Sequence, residues 1–189
     1  MMFRRTVAPG IELRQFEMRD AEPIFAMVER NREYLRPWLP WVDHTRSAED
    51  VRAFISRVQA QFEAGQGPNC GIWVDGVLVG NVGCHPFDWP NRNCSIGYWV
   101  DAGRQGKGLI TRCCACLLDY LFDEAGLHRA EIRCGTGNTR SCAIPQRLGF
   151  TREGIAAEAE WVVDRWVDLV VWGMVEQDWR RLRLTRSQW

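Results

Sequence analysis

Three observations predict a mixed α/β domain. Asp75-Gly76 stands between two apolar runs, 70–74 and Val77–Cys84, and is a strong hairpin signal because a type I′ turn needs positive φ at both central positions. A loop with several glycines, 101–108, leads from another apolar run into a long helical pattern. Helix and strand patterns alternate after that loop. The order therefore indicates an antiparallel meander first and alternating helices and strands afterwards.

Hydrophobic periodicity and capping residues predict the other elements. We expect Asp20 to cap a first helix and Ser47, with Asp50, to cap a second. A short helix is expected after Ser141, which is a good N-cap residue. The proline- and tryptophan-rich segment LRPWLPWV, 35–42, is expected to be irregular. The remaining strands are expected at 11–16, 94–100, 128–134, 153–163 and 167–175, and the short helix at 142–148.

Length and composition are those of one globular domain. The chain has 189 residues, 46% of them hydrophobic and 25% charged, and no linker or repeat divides it. We assign one domain to 1–179 and a basic C-terminal tail to 180–189. A formal net charge of zero favours neither nucleic acid nor a membrane as a general partner. Eight cysteines without a secretory signal or a long apolar run indicate reduced thiols in a cytoplasmic protein.

The junction RQGKGL, 104–109, is the most informative feature of the chain. Gly106 and Gly108 carry no Cβ, so that backbone N–H groups can converge on one point. The helix that follows adds its free N-terminal N–H groups and the positive end of its dipole, which favour a pyrophosphate. Lys107 adds a point charge. Taken alone, the pattern is also typical of a plain glycine-rich turn, and it is neither a Walker A nor a dinucleotide motif.

Other motifs surround this loop in a fixed order. They are LRPWLPWV, SIGYWV at 95–100, NTRSCAI at 138–144 and LGFTREG at 148–154. With the loop, they resemble the GNAT acetyltransferase superfamily, and within it the RimL-like branch of ribosomal-protein N-acetyltransferases. The resemblance runs from the first strand to Trp179. It implies a central, mostly antiparallel twisted sheet with a splayed strand pair and helices on both faces. One loop position departs from the family pattern, where Ile110 replaces a small residue.

The resemblance implies an enzyme that moves an acetyl group from acetyl-CoA directly to a primary amine, with no metal. The acceptor it favours is the N-terminal amine of a protein or peptide, and a small-molecule amine, antibiotic or toxin is the alternative. Homodimerisation is a further family expectation. The residues it implies for acetyl-CoA are Gln105, Gly106, Lys107, Gly108, Leu109, Ile110 and Thr111 at the pyrophosphate, Trp99 and Val100 along the pantetheine, and Asn138 opposite them.

Acyl transfer to an ammonium needs a proton acceptor, a donor to the oxyanion and accommodation of the thiolate. By resemblance, Glu160 is the base, a backbone N–H near Val100 stabilises the oxyanion, and Ser141 lies near the sulfur. Strand alternation predicts that Glu158 shares the face of Glu160. A place on a solvated strand edge is the alternative role of Glu160. Ser141 could serve as helix cap, as thiolate partner, or as both.

Cys134 matches a cysteine of the RimL-like branch and offers a rival, covalent route. No Cys-His pair is evident nearby, which favours an inert buried thiol. By resemblance, Trp38, Trp41 and Trp161 line the acceptor side, and core packing is their alternative role.

Two functions of other classes stay open. A non-catalytic acyl-CoA-binding regulatory module would keep the glycine loop without needing Glu160 or Ser141. An RNA- or ribosome-binding protein would use the arginines of WRRLRLTRSQW, 179–189, although a solvated tail is the more usual role of such a run.

Overall fold

A computed structural model describes residues 2–185 of the chain. Eight strands form one sheet in the order β1-β2-β3-β4-β5-β6-β8-β7, and every neighbouring pair is antiparallel except β5 and β6. The strands are β1 (Arg4–Ala8), β2 (Ile11–Gln15), β3 (Asn69–Val74), β4 (Val77–Cys84), β5 (Asn93–Val100), β6 (Arg129–Gly135), β7 (Thr151–Val162) and β8 (Arg165–Val175).

Helices cover both faces of this sheet. The α-helices are α1 (Ala21–Leu35), α2 (Ala48–Glu63), α3 (Leu109–Asp119), α4 (Thr139–Leu148) and α5 (Glu176–Thr185). Leu78 packs with α1 and α2 in one apolar cluster, whereas its neighbour Val79 packs with α3 in the main core. Successive residues of a strand point to opposite faces, so the two clusters lie on opposite sides of the sheet. The predicted fold class is confirmed.

Short helical turns connect several of these elements. Three 3₁₀ turns precede α1, α2 and α3, and a π-helical turn extends α3. The turn at Pro40–His44 includes the last three residues of the segment 35–42, and residues 36–39 are outside any helix or strand, as expected for an irregular segment. Val42 in this turn is fully buried. The four turns are Met18–Asp20, Pro40–His44, Ala102–Arg104 and Tyr120–Glu124.

Two local predictions are confirmed, one for a turn and one for a helix cap. Asp75 and Gly76 have φ values of +48° and +76°, as a type I′ turn between β3 and β4 requires. Ser47 caps α2 by accepting a hydrogen bond from the backbone N–H of Asp50 at 3.2 Å. Both signals depend on residues within four positions, which is why the sequence alone can reveal them.

Other local predictions were wrong. Asp20 does not cap α1 with its side chain, because that carboxylate accepts from the N–H of Glu17 at 2.8 Å across the preceding 3₁₀ turn. The short helix begins three residues earlier than expected, and its N-cap is Asn138, whose Oδ1 accepts from the N–H of Ser141 at 3.1 Å. Ser141 therefore lies inside the first turn of α4, and its hydroxyl is not used as a cap. Strand β1 was not predicted.

The chain also departs from regular strand geometry in β7. Its register with β8 shifts between Ala156 and Glu160, and Glu158 has a left-handed φ of +45°. The Glu158 N–H donates to the Asp168 carboxylate at 2.8 Å across this bulge. Because the alternation is interrupted, it no longer places Glu158 and Glu160 on one face, and that prediction was wrong.

The boundary predicted at Trp179 falls inside a helix. Trp179 is fully buried, and its indole N–H donates to Asp119 at 2.9 Å. Arg183 donates to Asp119 and Asp123 at 2.8 and 2.6 Å. Residues 180–185 are therefore part of the domain rather than a tail, and 186–189 lie outside the described residues. Within residues 2–185, no helix combines the length and apolar character needed to cross a bilayer.

Candidate active site

The site forms where strands β5 and β6 separate. They pair over only three positions, from Asn93 with Arg129 to Ser95 with Glu131. Beyond Ser95, β5 follows β4 as far as Val100, whereas β6 follows β8 as far as Gly135. A wedge therefore opens in the middle of the sheet, as the predicted splayed pair requires.

The edge of β5 that faces this wedge carries free main-chain groups. The N–H of His85 donates to Ser95 at 2.9 Å, and the N–H of Asp101 donates to Val79 at 2.8 Å. Antiparallel pairing alternates, so the odd-numbered residues of β5 bond to β4 and the N–H groups of Tyr98 and Val100 point into the wedge. The N–H of Val100 is therefore available in the wedge, and its role as oxyanion donor stays a prediction.

One cleft of about 2270 Å³ lies at the wedge, and residues of α1 and α2 line it as well as residues of α3 and α4. Typical small-molecule pockets occupy roughly 300–1,000 Å³, so this cleft has room for two reactants. Every residue predicted to hold acetyl-CoA lines it, namely Trp99, Val100, Gln105, Gly106, Lys107, Gly108, Leu109, Ile110, Thr111 and Asn138. Ser141, Glu160, Trp38 and Trp41 line the same cleft, and Trp161 is not among its lining residues.

The glycine loop forms one end of the cleft. Gly106 and Gly108 adopt left-handed φ values of +74° and +68°, and Gly108 is the N-cap of α3 without a side chain of its own. The free N–H groups of α3 therefore face the cleft beside Lys107. Ile110 is only 7% exposed and joins the main core, so its departure from the family pattern leaves the loop open.

Three arginines that the sequence analysis did not single out add to this positive end. Arg104, Arg112 and Arg140 line the cleft with Lys107. Arg112 donates to the carbonyl of Lys107 at 3.2 Å, and Arg140 donates to the Gln105 side chain at 2.5 Å. These contacts hold cationic groups around the loop, where phosphate oxygens would be stabilised. For Arg104 and Arg112, closeness to the loop in sequence was the available signal, whereas Arg140 is 35 residues from Gln105.

Ser141 lies against a tyrosine that the sequence analysis missed. Its Oγ is 3.2 Å from the phenol oxygen of Tyr98, and that phenol donates to the Ser141 carbonyl oxygen at 3.1 Å. Burial raises the pKa of Tyr98 well above its ordinary value, so the phenol stays protonated. Tyr98 and Ser141 are 43 residues apart in sequence, and they meet only because α4, which packs on α3 and β6, lies across the wedge from β5.

Cys134 lies on β6 beside Ser141 and Cys142. Burial is the main reason that the pKa of Cys134 rises to about 12. A thiol with this pKa is almost wholly protonated at neutral pH, and the thiolate is the nucleophilic form. The environment of Cys134 therefore disfavours covalent acyl transfer through this residue.

Two proton acceptors face the cleft from other strands. Glu160 is half-buried beside the bulge of β7, and burial raises the pKa of its carboxyl group. His85, just after β4, has a lowered pKa, first through partial burial in the cleft and second through the charge of Arg133. Its Nε2 lies 3.6 Å from the position that a Cβ on Gly97 would occupy. His85 was not predicted, because an isolated histidine carries no motif.

Aromatic side chains form part of the cleft wall. The indole of Trp38 lies over Gly135 and Gly137, where added Cβ atoms would stand 3.2 and 3.3 Å from it. Trp41 packs against Trp99 with ring centroids 5.8 Å apart. Trp161 is 50% exposed and contacts Trp166 edge-on instead. Two of the three tryptophans assigned to the acceptor side thus line the cleft.

A sequence profile of the acetyltransferase (GNAT) domain matches residues 11–151. The chain belongs to the GNAT acetyltransferase family. It is therefore an acyltransferase, and the splayed strands, glycine loop and cleft are the expected parts of such an enzyme. Within residues 2–185, no cluster of three or more His, Cys, Asp or Glu side chains is arranged to hold a metal ion.

Individual relatives place the chain in the ribosomal-protein acetyltransferase branch. It is 34% identical to the putative ribosomal N-acetyltransferase YdaF of Bacillus subtilis, over 94% of this chain and 98% of that protein. It is 25% identical to the ribosomal-protein-serine acetyltransferase of Escherichia coli, over 89% and 94%. The crystal structure of the microcin C7 self-immunity acetyltransferase MccE, with acetyl-CoA and AMP, is 25% identical with a TM-score of 0.84, over 89% and 94%.

Proposed function

We propose that this enzyme transfers an acetyl group from acetyl-CoA directly to the N-terminal amine of a protein or peptide. One observation carries the proposal. A continuous cleft joins a cationic glycine loop, through the open edge of β5, to the half-buried carboxylate of Glu160. No ion pair to Glu160 is found within residues 2–185, so the carboxylate is free to accept a proton.

Acetyl-CoA suits the loop end of the cleft. The N–H groups at the start of α3 and the side chains of Lys107 and Arg104 would bind the pyrophosphate. The pantetheine arm would lie along β5, where the N–H of Val100 points into the wedge. MccE, which is 25% identical to this chain and has a similar fold, was crystallised with acetyl-CoA. We therefore take acetyl-CoA as the acyl donor.

The chemistry follows from the groups around the wedge. Glu160 takes a proton from the ammonium, directly or through a water molecule, and the free amine attacks the thioester carbonyl. The N–H of Val100 would stabilise the oxyanion. When the carbon–sulfur bond breaks, Ser141 would donate a hydrogen bond to the thiolate, which then takes a proton from solvent. The nitrogen gives up its second proton to solvent, and Glu160 later returns the proton that it accepted to solvent. The products are an amide and free coenzyme A.

The names of the relatives favour a protein acceptor. Both curated relatives are named for acetylation of ribosomal proteins, one of them at serine. The volume of the cleft, about 2270 Å³, leaves room beside Trp38 for an extended peptide end. The Trp41–Trp99 pair also suits a planar ring, which supports an aromatic small-molecule amine as the second candidate. We further propose that the enzyme works in the cytoplasm and forms a homodimer.

The test is an acceptor screen with acetyl-CoA, read as release of free coenzyme A thiol. We expect peptides with free N-terminal serine or alanine to react, and the same peptides with blocked N-termini to be inert. Mass spectrometry of the products should place the acetyl group on the α-amine. Turnover confined to aminonucleotides or to lysine side chains would overturn the proposed acceptor.

A further inference from the structure

The Ser141 hydroxyl lies within hydrogen-bond distance of the Tyr98 phenol, and the Cys134 thiol lies beside both groups. A phenol has a single proton, and Tyr98 donates it to the carbonyl oxygen of Ser141 at 3.1 Å. The 3.2 Å contact between the Ser141 Oγ and the Tyr98 oxygen must then use the proton of Ser141. In this arrangement, Ser141 has no proton to offer a thiolate.

The reason for this arrangement lies one turn further along α4. In an α-helix, the carbonyl of Ser141 would accept from the N–H of residue 145. Residue 145 is Pro145, which has no N–H. The Tyr98 phenol therefore supplies the donor that the helix cannot. Pro145 thus leaves the Ser141 carbonyl oxygen without a helical donor, and the phenol proton of Tyr98 takes that place.

We propose that Tyr98 is a positioning residue that exchanges its hydrogen-bond acceptor when the thiolate forms. The Ser141 O–H turns to the sulfur, and the Tyr98 O–H turns from the Ser141 carbonyl oxygen to the Ser141 Oγ that has lost its partner. No covalent bond changes, and every proton stays on its own oxygen. This inference rests on the proposed function, because it needs a thiolate that leaves beside Ser141.

The geometry permits the exchange at little cost. Both acceptor oxygens of Ser141 lie within 3.2 Å of the phenol oxygen, so rotation of one O–H bond connects the two states. The Ser141 backbone does not need to move, since its N–H is held by the Asn138 cap at 3.1 Å. Burial keeps Tyr98 protonated, so the phenol is a donor in both states.

The experiment is a double-mutant cycle of Tyr98→Phe and Ser141→Ala, with kcat and KM for acetyl-CoA measured separately. Tyr98→Phe should lower kcat about 5-fold, as expected for one neutral hydrogen bond, and leave KM unchanged. In the Ser141→Ala background, Tyr98→Phe should cause no further loss of kcat, because Tyr98 acts through Ser141. Tyr120→Phe, outside the cleft, is the matched control and should keep wild-type kcat.

Pro145→Ala separates positioning from simple support of the helix. It restores an N–H donor to the Ser141 carbonyl, so in this background a purely structural role of Tyr98 becomes dispensable. We expect Tyr98→Phe to lower kcat about 5-fold there as well. Recovery of kcat in the Pro145→Ala, Tyr98→Phe protein would overturn the inference, as would additive losses in the cycle. If Ser141→Ala alone keeps full kcat, the proposed role of Ser141 fails first.

Discussion

Gly108 and Gly65 have nearly the same left-handed φ, although only Gly108 lines the cleft. Their φ values are +68° and +69°, and a Cβ on either would meet nothing within 4 Å. Gly108 opens helix α3 at the end of the cleft, whereas Gly65 follows helix α2 away from it. A side chain at either position is strained by about 1–2 kcal/mol, so the two glycines form a matched pair for testing the loop.

The first prediction uses this pair. Acetyl-CoA at about 100 times its dissociation constant should stabilise the native state by roughly 2.7 kcal/mol, which raises the melting temperature by about 5–10 °C. Gly108→Trp should abolish that rise because the indole fills the space of the pyrophosphate. Gly65→Trp should be destabilised to a similar extent and keep the rise. Loss of the rise in both variants, or in neither, would contradict binding at the loop.

The second prediction concerns Cys134. With a pKa raised to about 12, mainly by burial, the thiol is almost wholly protonated at neutral pH, which disfavours covalent transfer. Cys134→Ala should therefore keep turnover within a few-fold of wild type. Intact-protein mass spectrometry after mixing with acetyl-CoA alone should show no added acetyl group. An acetyl-enzyme that forms in wild type and disappears in Cys134→Ala would establish the covalent route instead.

The glycine loop of the cleft and several turns and caps could be predicted from the sequence, because each depends on a short continuous segment. The loop around Gly108, the hairpin at Asp75-Gly76 and the cap at Ser47 depend on neighbours within a few positions. The resemblance then supplied their order in space, including the splayed strands. This is why the residues assigned to acetyl-CoA all line one cleft.

The features that the sequence could not reveal depend on strand pairing and helix packing between segments that are far apart in sequence. Tyr98 meets Ser141 only because α4, packed on α3 and β6, lies across the wedge from β5. His85 faces Gly97 only because β4 and β5 pair in one register. The bulge before Glu160 reflects pairing with β8, which a simple alternation ignores. The cap of α4 was misplaced because Asn138 and Ser141 are equally good capping residues.

The third prediction concerns the rate effect of Glu160. An α-amine with a pKa near 8 is mostly protonated at neutral pH, and the ammonium cannot attack. Glu160→Gln should lower turnover by about 10²–10⁴ at pH 6–7, and the deficit should shrink towards pH 9.5 as free amine accumulates. Glu158→Gln removes an exposed carboxylate from the same strand and should stay near wild type. A Glu160→Gln rate within a few-fold of wild type at pH 6 would show that another group accepts the proton, and His85 would be the next variant to measure.

The fourth prediction is that the same substitution stabilises the fold. Burial raises the pKa of Glu160, so the folded state holds this proton more tightly than the unfolded chain does. Ionised Glu160 therefore opposes folding at any pH above both pKa values. The penalty disappears as the pH falls below the ordinary carboxyl pKa of about 4.3, where both states are protonated.

Glu160→Gln carries no such penalty at any pH. Its melting temperature should exceed that of wild type at pH 7–8, and the difference should narrow steadily towards pH 4.5. Glu158→Gln removes the same charge from an exposed position, and its effect should stay small over the whole range. Thermal melts of the three proteins in one buffer series measure this directly. An equal or lower melting temperature for Glu160→Gln at pH 8 would mean that the carboxylate is not desolvated in the free enzyme. If Glu160→Gln loses activity and gains stability, the ionised Glu160 side chain destabilises the fold and is needed for turnover, which is the known trade-off between stability and activity.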